Sequence, residues 1–488
     1  MVILRSLFAV LLLFCTLDGK AQISFYHVFG GTGYDRGEGI AQLPDSSYIL
    51  TGSSSSFESA PSQAFLLKLN KYGFHVWSKQ YGGTEFEEGK RVLFVPNYGY
   101  YIIGTSSSNG TGGFDGYVVF TDLSGNQQWE KWYDNGGWER FHDAILMPDT
   151  SIVLLGESNA NPEQTEDQYL VRIDKDGEVL WEQQSGGVGV DYFNKGLKMS
   201  DTTFVAVGTG YLADSLKSKA AIAYYHMDGS LVWDTLTGRN GEYILNDVQF
   251  VANKLMCVGE KTQTDKTDKD NYQIFLNFSG DYISDDDAYS QYDNRYVGFV
   301  NYTAPPGDKF FLVTQGNNPL YDYAGGEDCY INRFAPAFYW DGYGLPYSAL
   351  GQDQINQIIQ TNDGYAVTVG FHSDPGFSTG GTSLFVVKLG NDNAFPANGN
   401  PTIYSILSVE NLENNPDFEF YPNPVSNLLY IDSESTFDRL EVSDLSGKQI
   451  FSTDHSVSSI ETATWNSGTY LLRFSVNGNW YVRKVVKM

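Results

Sequence analysis

Tryptophan recurs at positions 77, 129, 181 and 233, with the same 52-residue interval each time. Glycine keeps the same beat at 52, 104, 156 and 208, and continues at 259. No helix or single strand repeats on that scale. A period near 50 residues marks a supersecondary unit copied along the chain, and each copy must bury its apolar face against a neighbour. The fold therefore follows from how such units stack.

One unit carries Gly30-Gly31, an apolar stretch around Ile40, Tyr48 to Gly52, Ala64 to Leu69, a turn at Gly73, and His75-Val76-Trp77 leading to Gly82-Gly83. Short runs rich in β-branched and aromatic residues, separated by turn residues, read as four strands. Further units follow through Gly104 and Trp129, Gly156 and Trp181, Gly208 and Trp233, and Gly259 and Gly280. A sixth is degenerate, with Phe310 to Thr314, Cys329 to Phe334 and Trp340; a seventh stops after Leu384 to Leu389. Seven four-stranded units predict a seven-bladed β-propeller; a linear β-solenoid is the competitor. The ends favour the ring. Unit seven lacks its fourth strand, and Ile23 to Phe29 followed by Gly30-Gly31 matches that strand. An N-terminal strand would complete the last blade and leave no open edge. The recurrent Trp is expected in the packing between blades, and the recurrent Gly at a bulge or close contact.

Residues 1–21 read as a secretory signal: Arg5, an apolar core from Leu7 to Leu17, and small residues at Gly19 and Ala21. The expected divisions are 1–21 signal peptide, 22–390 propeller, 391–418 linker and 419–488 a small Ig-like β-sandwich. The fold class expected is thus all-β throughout. A net charge of −28 argues against nucleic acid, whose phosphates need cations. No segment after the signal is apolar enough to predict a membrane helix. Cys257 and Cys329 fall in different repeats, in non-equivalent strands, and are no disulfide framework; they read as two small buried hydrophobes, with a single bond between them in an oxidising compartment as the alternative.

The tail carries Pro422, Asn423 and Pro424 after Tyr421, a hairpin at Asp444 to Lys448 containing Gly447, then Gly468, Tyr470 and the ending Lys484 to Lys487. Together these resemble the type A C-terminal sorting domain of the type IX secretion system. The resemblance implies export across the inner membrane by the N-terminal signal and recognition of the tail by the outer-membrane translocon. A sorting protease then usually cleaves the tail. The passenger is released or anchored at the outer surface of a Gram-negative bacterium. The repeats resemble, more loosely, the secreted propellers often fused to such tails.

No zinc-protease helix, nucleophile elbow or phosphate loop is present. The six His lack ligand spacing. One acidic slot does recur: Asp35, Glu87, Glu139 and Asp191 at intervals of 52, with Asp353 in unit seven and Glu242 and Asp293 near it in units five and six. Two readings stand. A carboxylate ring at the channel mouth would suit a hard cation such as Ca²⁺. Alternatively, each carboxylate accepts backbone N–H bonds in its own loop. Loop aromatics Trp138, Tyr192, Tyr211, Tyr243, Tyr321 and Tyr323 offer stacking surfaces for sugars. The irregular loops Gly316 to Asp328 and Ala335 to Gln352 are where the repeat departs most and where a site is expected. The functional expectation is a secreted or surface-displayed binding or adhesion module for glycan or protein ligands. The alternatives are an extracellular glycan hydrolase or lyase using carboxylates, and a structural surface protein.

Overall fold

A computed structural model describes residues 24–487 apart from 57–60, 110–112, 214–215, 264–267, 289–292, 303–308, 318–326, 335–339, 348–351, 374–380, 391–401, 406–418, 423, 433–435, 445–447 and 477–478. The expected signal peptide lies outside the described residues. The chain is all-β, as the repeats predict. Among the described residues no helix is long and apolar enough to cross a membrane.

Blade 1 consists of Asp35–Gln42, Tyr48–Ser54, Gln63–Leu69 and His75–Tyr81, paired antiparallel in chain order. Blades 2 to 6 repeat this order, and their first strands begin at Glu87, Glu139, Tyr192, Glu242 and Asn294. Blade 7 supplies three strands, Asp353–Gln360, Ala366–His372 and Ser383–Lys388. Its fourth strand is Phe25–Gly30, antiparallel to Ser383–Lys388 with Val28 opposite Phe385. Seven sheets thus form a seven-bladed β-propeller whose last blade joins the two ends of the repeat array. The stretch expected to be a linker contains one more strand, Thr402–Ser405, which pairs in parallel beyond Phe25–Gly30. Backbone pairing on that open outer edge is what the polar composition of the segment hid.

The seams between blades use two recurrent devices. The first is Trp against Gly. The turn glycines at 125, 177, 229 and 280 have φ of +76°, +78°, +88° and +82°. A Cβ on them would meet the indoles of Trp77, Trp129, Trp181 and Trp233 of the preceding blade at 2.7–3.2 Å. At the closing seam Gly73 faces Phe25 and His27 instead. Phe25 lies 52 residues before Trp77 and fills the Trp position. The second device is a backbone bond: the acidic-slot N–H donates to the preceding blade. Glu87 donates to the Ser62 carbonyl at 3.1 Å and Glu139 to Phe114 at 2.8 Å. Asp191 donates to Glu166 at 2.7 Å, Asp353 to Glu327 at 2.8 Å and, closing the ring, Asp35 to Thr382 at 3.0 Å.

The recurrent glycines of the second strands face the first-strand backbone. Each first strand carries a β-bulge, and the glycine pairs with the residue just before the extra one, as Gly52 does with Gly37. A Cβ on Gly52 would sit 1.8 Å from the Arg36 carbonyl oxygen. Only glycine fits there.

The tail is a separate sandwich. One sheet holds Glu419–Tyr421, Leu428–Asp432 and Ser459–Glu461. The other holds Arg439–Asp444, Gln449–Thr453, Gly468–Val476 and Asn479–Lys487. Leu429, Leu440, Val442, Trp465, Leu472 and Phe474 form its core.

Candidate functional site

The bulges decide what the axial channel contains. An extra residue turns its side chain away from the regular alternation. The extra residues are Glu38, Lys90, His142, Asn194, Asn246, Val297 and Asn356, one per blade. With their neighbours they line an axial cavity of ≈ 320 Å³. Several reach to the next blade. Asn194 Nδ2 donates to the Leu245 carbonyl at 3.0 Å, Asn246 Nδ2 to Tyr296 at 2.8 Å and Asn356 Nδ2 to Gly37 at 2.9 Å. Lys90 Nζ pairs with Glu38 at 3.2 Å and Glu88 at 3.0 Å.

The next residue along forms a second layer. Asp143 accepts from the Gly196 N–H at 3.0 Å and pairs with Arg91 at 3.0 Å and Lys195 at 3.4 Å. Asp247 accepts the Phe299 N–H at 3.0 Å, and Gln357 Oε1 the Ile40 N–H at 2.7 Å. Burial pushes Glu38 up to about 7 against the pull of Lys90, and Glu88 adds to the rise. Burial also acts to raise Asp143, but Lys195 and Arg91 outweigh it and hold the carboxyl below its usual range. These charges are engaged with one another around the channel wall. They stitch the ring together.

The acidic slot does not open on that channel. Asp35 is buried and accepts from Gly31 N–H at 2.8 Å and Ser56 Oγ at 2.8 Å, with Ser54 Oγ closer still. Glu87 accepts from Gly83 N–H and Gln63 Nε2, each at 3.0 Å, and from Ser106 and Ser108. Glu139 accepts from Ser158 Oγ at 2.8 Å and Asp191 from Tyr211 N–H at 2.6 Å. Asp353 is buried in the same place of blade 7. Burial raises Asp35, Glu139 and Asp191, and the donors act in the opposite sense. The loop-architecture reading accounts for this geometry; the five carboxylates do not converge.

One of them has different company. Glu139, Asp115 and Asp134 bring carboxylate oxygens within 4.8 Å of one another. Burial first, then Asp134 and Glu139, pushes Asp115 up to about 6. The repeat position of Asp115, at the start of a third strand, carried no mark in the sequence. Only the folded seam shows which carboxylate it faces.

Beside this cluster, on the face formed by loops entering the first strands, Trp138 is 45% exposed. It borders a groove of ≈ 620 Å³ with Asn135, Asn159, Asn161, Pro162 and Gln164. Its indole lies edge-on to Phe114 at 6.1 Å and under the Arg140 guanidinium at 5.4 Å. Its backbone N–H donates to Asn159 Oδ1 at 2.6 Å. Across the groove, the Gln164 backbone N–H donates to the Asn161 carbonyl at 3.1 Å, which fixes the turn that carries its amide. Tyr34, Phe86 and Val190 hold the Trp138 position in blades 1, 2 and 4, and Tyr34 and Val190 are also exposed.

The other aromatics expected as stacking surfaces divide. Tyr243 is buried edge-on to Tyr272 at 4.7 Å, because its strand turns it into the seam. Tyr192 packs near His142, and Tyr211 packs on the loop at Gly189. Tyr321 and Tyr323 lie outside the described residues, as does most of the two irregular loops of unit six. Cys257 and Cys329 are free and buried in different packing layers.

In the tail, Pro422 and Pro424 are exposed, directly after the strand Glu419–Tyr421. Tyr470 is buried; its hydroxyl donates to the Asn466 carbonyl at 2.8 Å and its ring meets Trp465 at 4.7 Å. Gly468 opens a strand and stands opposite Lys487, and Lys484 stands opposite Leu471. Asn423 and Gly447 lie outside the described residues.

Residues 419–488 match the family described as secretion system C-terminal sorting domain. No curated protein matches the chain. Similar solved structures include the Neurospora crassa Pan2 WD40 domain, at 12% identity and TM-score 0.42, covering 74% of this chain and 90% of that one. Sqt1 from Chaetomium thermophilum is similar at 13% identity and TM-score 0.42, covering 75% and 99%. The β-propeller domain of the Trilobed protease from Pyrococcus furiosus is similar at 11% identity and TM-score 0.41, covering 75% and 99%. The chain is thus a secreted propeller protein with a type IX sorting tail, exported to the surface or surroundings of a Gram-negative bacterium.

Proposed function

We propose that this secreted propeller protein is a binding module for glycan chains, and that the groove beside Trp138 is where it holds them. The observation that carries the reading is an exposed indole, fixed by Phe114 and Arg140, over a groove lined by amides. An aromatic face takes the apolar face of a sugar ring, and the Gln164 amide offers a donor and an acceptor to its hydroxyls, while the Asn161 amide holds the loop through Thr165 and Asp167. A protein partner would favour a broader apolar patch; the lining here is mainly polar. Because the indole is already held, little ordering accompanies binding. The ring is a rigid carrier and the loops supply the contact.

The test is retention of the full-length protein on immobilised polysaccharides. Wild type should be retarded by at least one of them and Trp138→Ala should elute at the void, with its melting temperature unchanged within a few degrees. Equal retention of both proteins would place binding elsewhere.

A further inference from the structure

We propose that Asp115, Asp134 and Glu139 form a divalent-cation site, suited to Ca²⁺, at the seam between blades 2 and 3. The site belongs to the seam itself and stands whether or not the neighbouring groove takes glycan. Two observations support it. The first is the clustering: one oxygen from each residue lies within 4.8 Å of the others. Three oxygens no more than 4.8 Å apart share a point about 2.8 Å or less from each, so a shift of a few tenths of an ångström by the exposed Asp134 brings all three to a Ca²⁺–oxygen bond of about 2.3–2.6 Å. The second is Asp115 itself. The residue is 0% exposed and, among the described residues, neither carboxylate oxygen has a hydrogen-bond partner. A buried carboxylate without a donor is a costly arrangement that proteins relieve by pairing or by metal coordination.

The repeat provides internal controls. Gln63 stands 52 residues before Asp115, and its Nε2 donates to Glu87 Oε2 at 3.0 Å across the preceding seam. Glu87 is the counterpart of Glu139. Asp167 stands 52 residues after Asp115 and receives Asn161 Nδ2 at 2.9 Å and Gln184 Nε2 at 3.1 Å. One more interval places Lys219, whose Nζ donates to the Arg239 carbonyl at 3.0 Å. Each of these three counterparts supplies a donor or receives one. At Asp115 the donor is missing while the facing acid remains, and Asp134 adds a third carboxylate where blade 1 has Gly82. The set is all oxygen, which selects a hard cation over Zn²⁺ or Cu²⁺. Asp134 is exposed, so water has access to complete the coordination shell.

The experiment titrates CaCl₂ into the full-length, EDTA-stripped protein by calorimetry, and follows melting temperature with and without about 10 mM CaCl₂. Wild type should bind one ion with Kd of about 10⁻⁴–10⁻³ M, the range of extracellular modules, and melt higher with Ca²⁺. Asp115→Gln copies the Gln63–Glu87 pair. It should weaken binding at least tenfold and melt in EDTA no lower than wild type. Asp134→Ala alters an exposed side chain and should weaken binding as well. Absence of binding to wild type, or undiminished affinity in both variants, would overturn the proposal.

Discussion

The indole of Trp77 lies against Gly125 of the next blade, so close that a Cβ on Gly125 would stand 2.8 Å from the ring. The same contact links three further seams. It explains why the two residues keep one period: a side chain at the glycine would collide with the aromatic ring of the preceding blade. Gly125→Ala should cost about 2–4 kcal/mol, combining a left-handed backbone with overpacking against the indole. Gly136 has φ +90° and nothing within 4 Å of a Cβ. Gly136→Ala should therefore cost only about 1–2 kcal/mol, the backbone part alone. Urea unfolding of the two variants checks the difference; equal losses would remove the role of the indole.

Closure of the ring gives a second prediction. Val28 and Phe29 are fully buried in the strand that the N-terminus lends to blade 7. Val28→Asp would place an unpaired carboxylate there and should cost more than about 4 kcal/mol. An unaltered melting temperature would show that the strand does not hold the ring.

His27 makes that closure pH-dependent. Burial lowers its pKa to about 4 from 6.5, while Nε2 is bonded to the Tyr72 carbonyl of blade 1 at 3.2 Å. The unfolded chain takes up the proton first, so acid favours unfolding. The penalty is absent above pH 6.5, grows as pH falls towards 4, and reaches roughly 3 kcal/mol at most. His27→Phe removes it. Wild type should lose stability relative to this variant across that window, and parallel pH profiles would exclude the histidine as the cause.

In the channel wall, Asp143→Ala would leave the half-buried Arg91 and Lys195 without their common partner. Both cations keep some access to water, so a loss of about 1.5–3 kcal/mol is expected. A loss below about 1 kcal/mol would mean that the channel charges are solvated independently.

The tail makes a prediction in cells. Deleting residues 419–488 should leave the protein in the periplasm, detected by fractionation. Undiminished appearance at the surface or in the medium would contradict the role of the sorting domain.

The period of Trp77, Trp129, Trp181 and Trp233 makes the ring legible from the amino-acid sequence, because one spacing encodes both a blade and its contact with the next. Phe25 fits the same register from the far end of the chain, so closure is legible too. The acidic slot is visible as a pattern, but its role is not. Whether Glu87 or Glu139 faces a Gln or an Asp depends on a residue 24 positions away on the neighbouring blade. Nor can Tyr243 be told from Trp138: both are loop-end aromatics, and only the seam geometry buries one and exposes the other. The strand Thr402–Ser405 is hidden because it pairs through its backbone, on an edge that exists only after the ring has closed.

Whether the groove beside Trp138 recognises glycans is decided by a glycan array. Full-length wild type, Trp138→Ala and Gln164→Ala would be applied in parallel. Wild type should bind a defined set of glycans, Trp138→Ala should lose them, and Gln164→Ala should bind them at least several-fold more weakly, consistent with one stacking surface and one hydrogen bond. Binding by wild type that both variants retain in full, or no binding by wild type to any glycan, would refute glycan recognition at this groove.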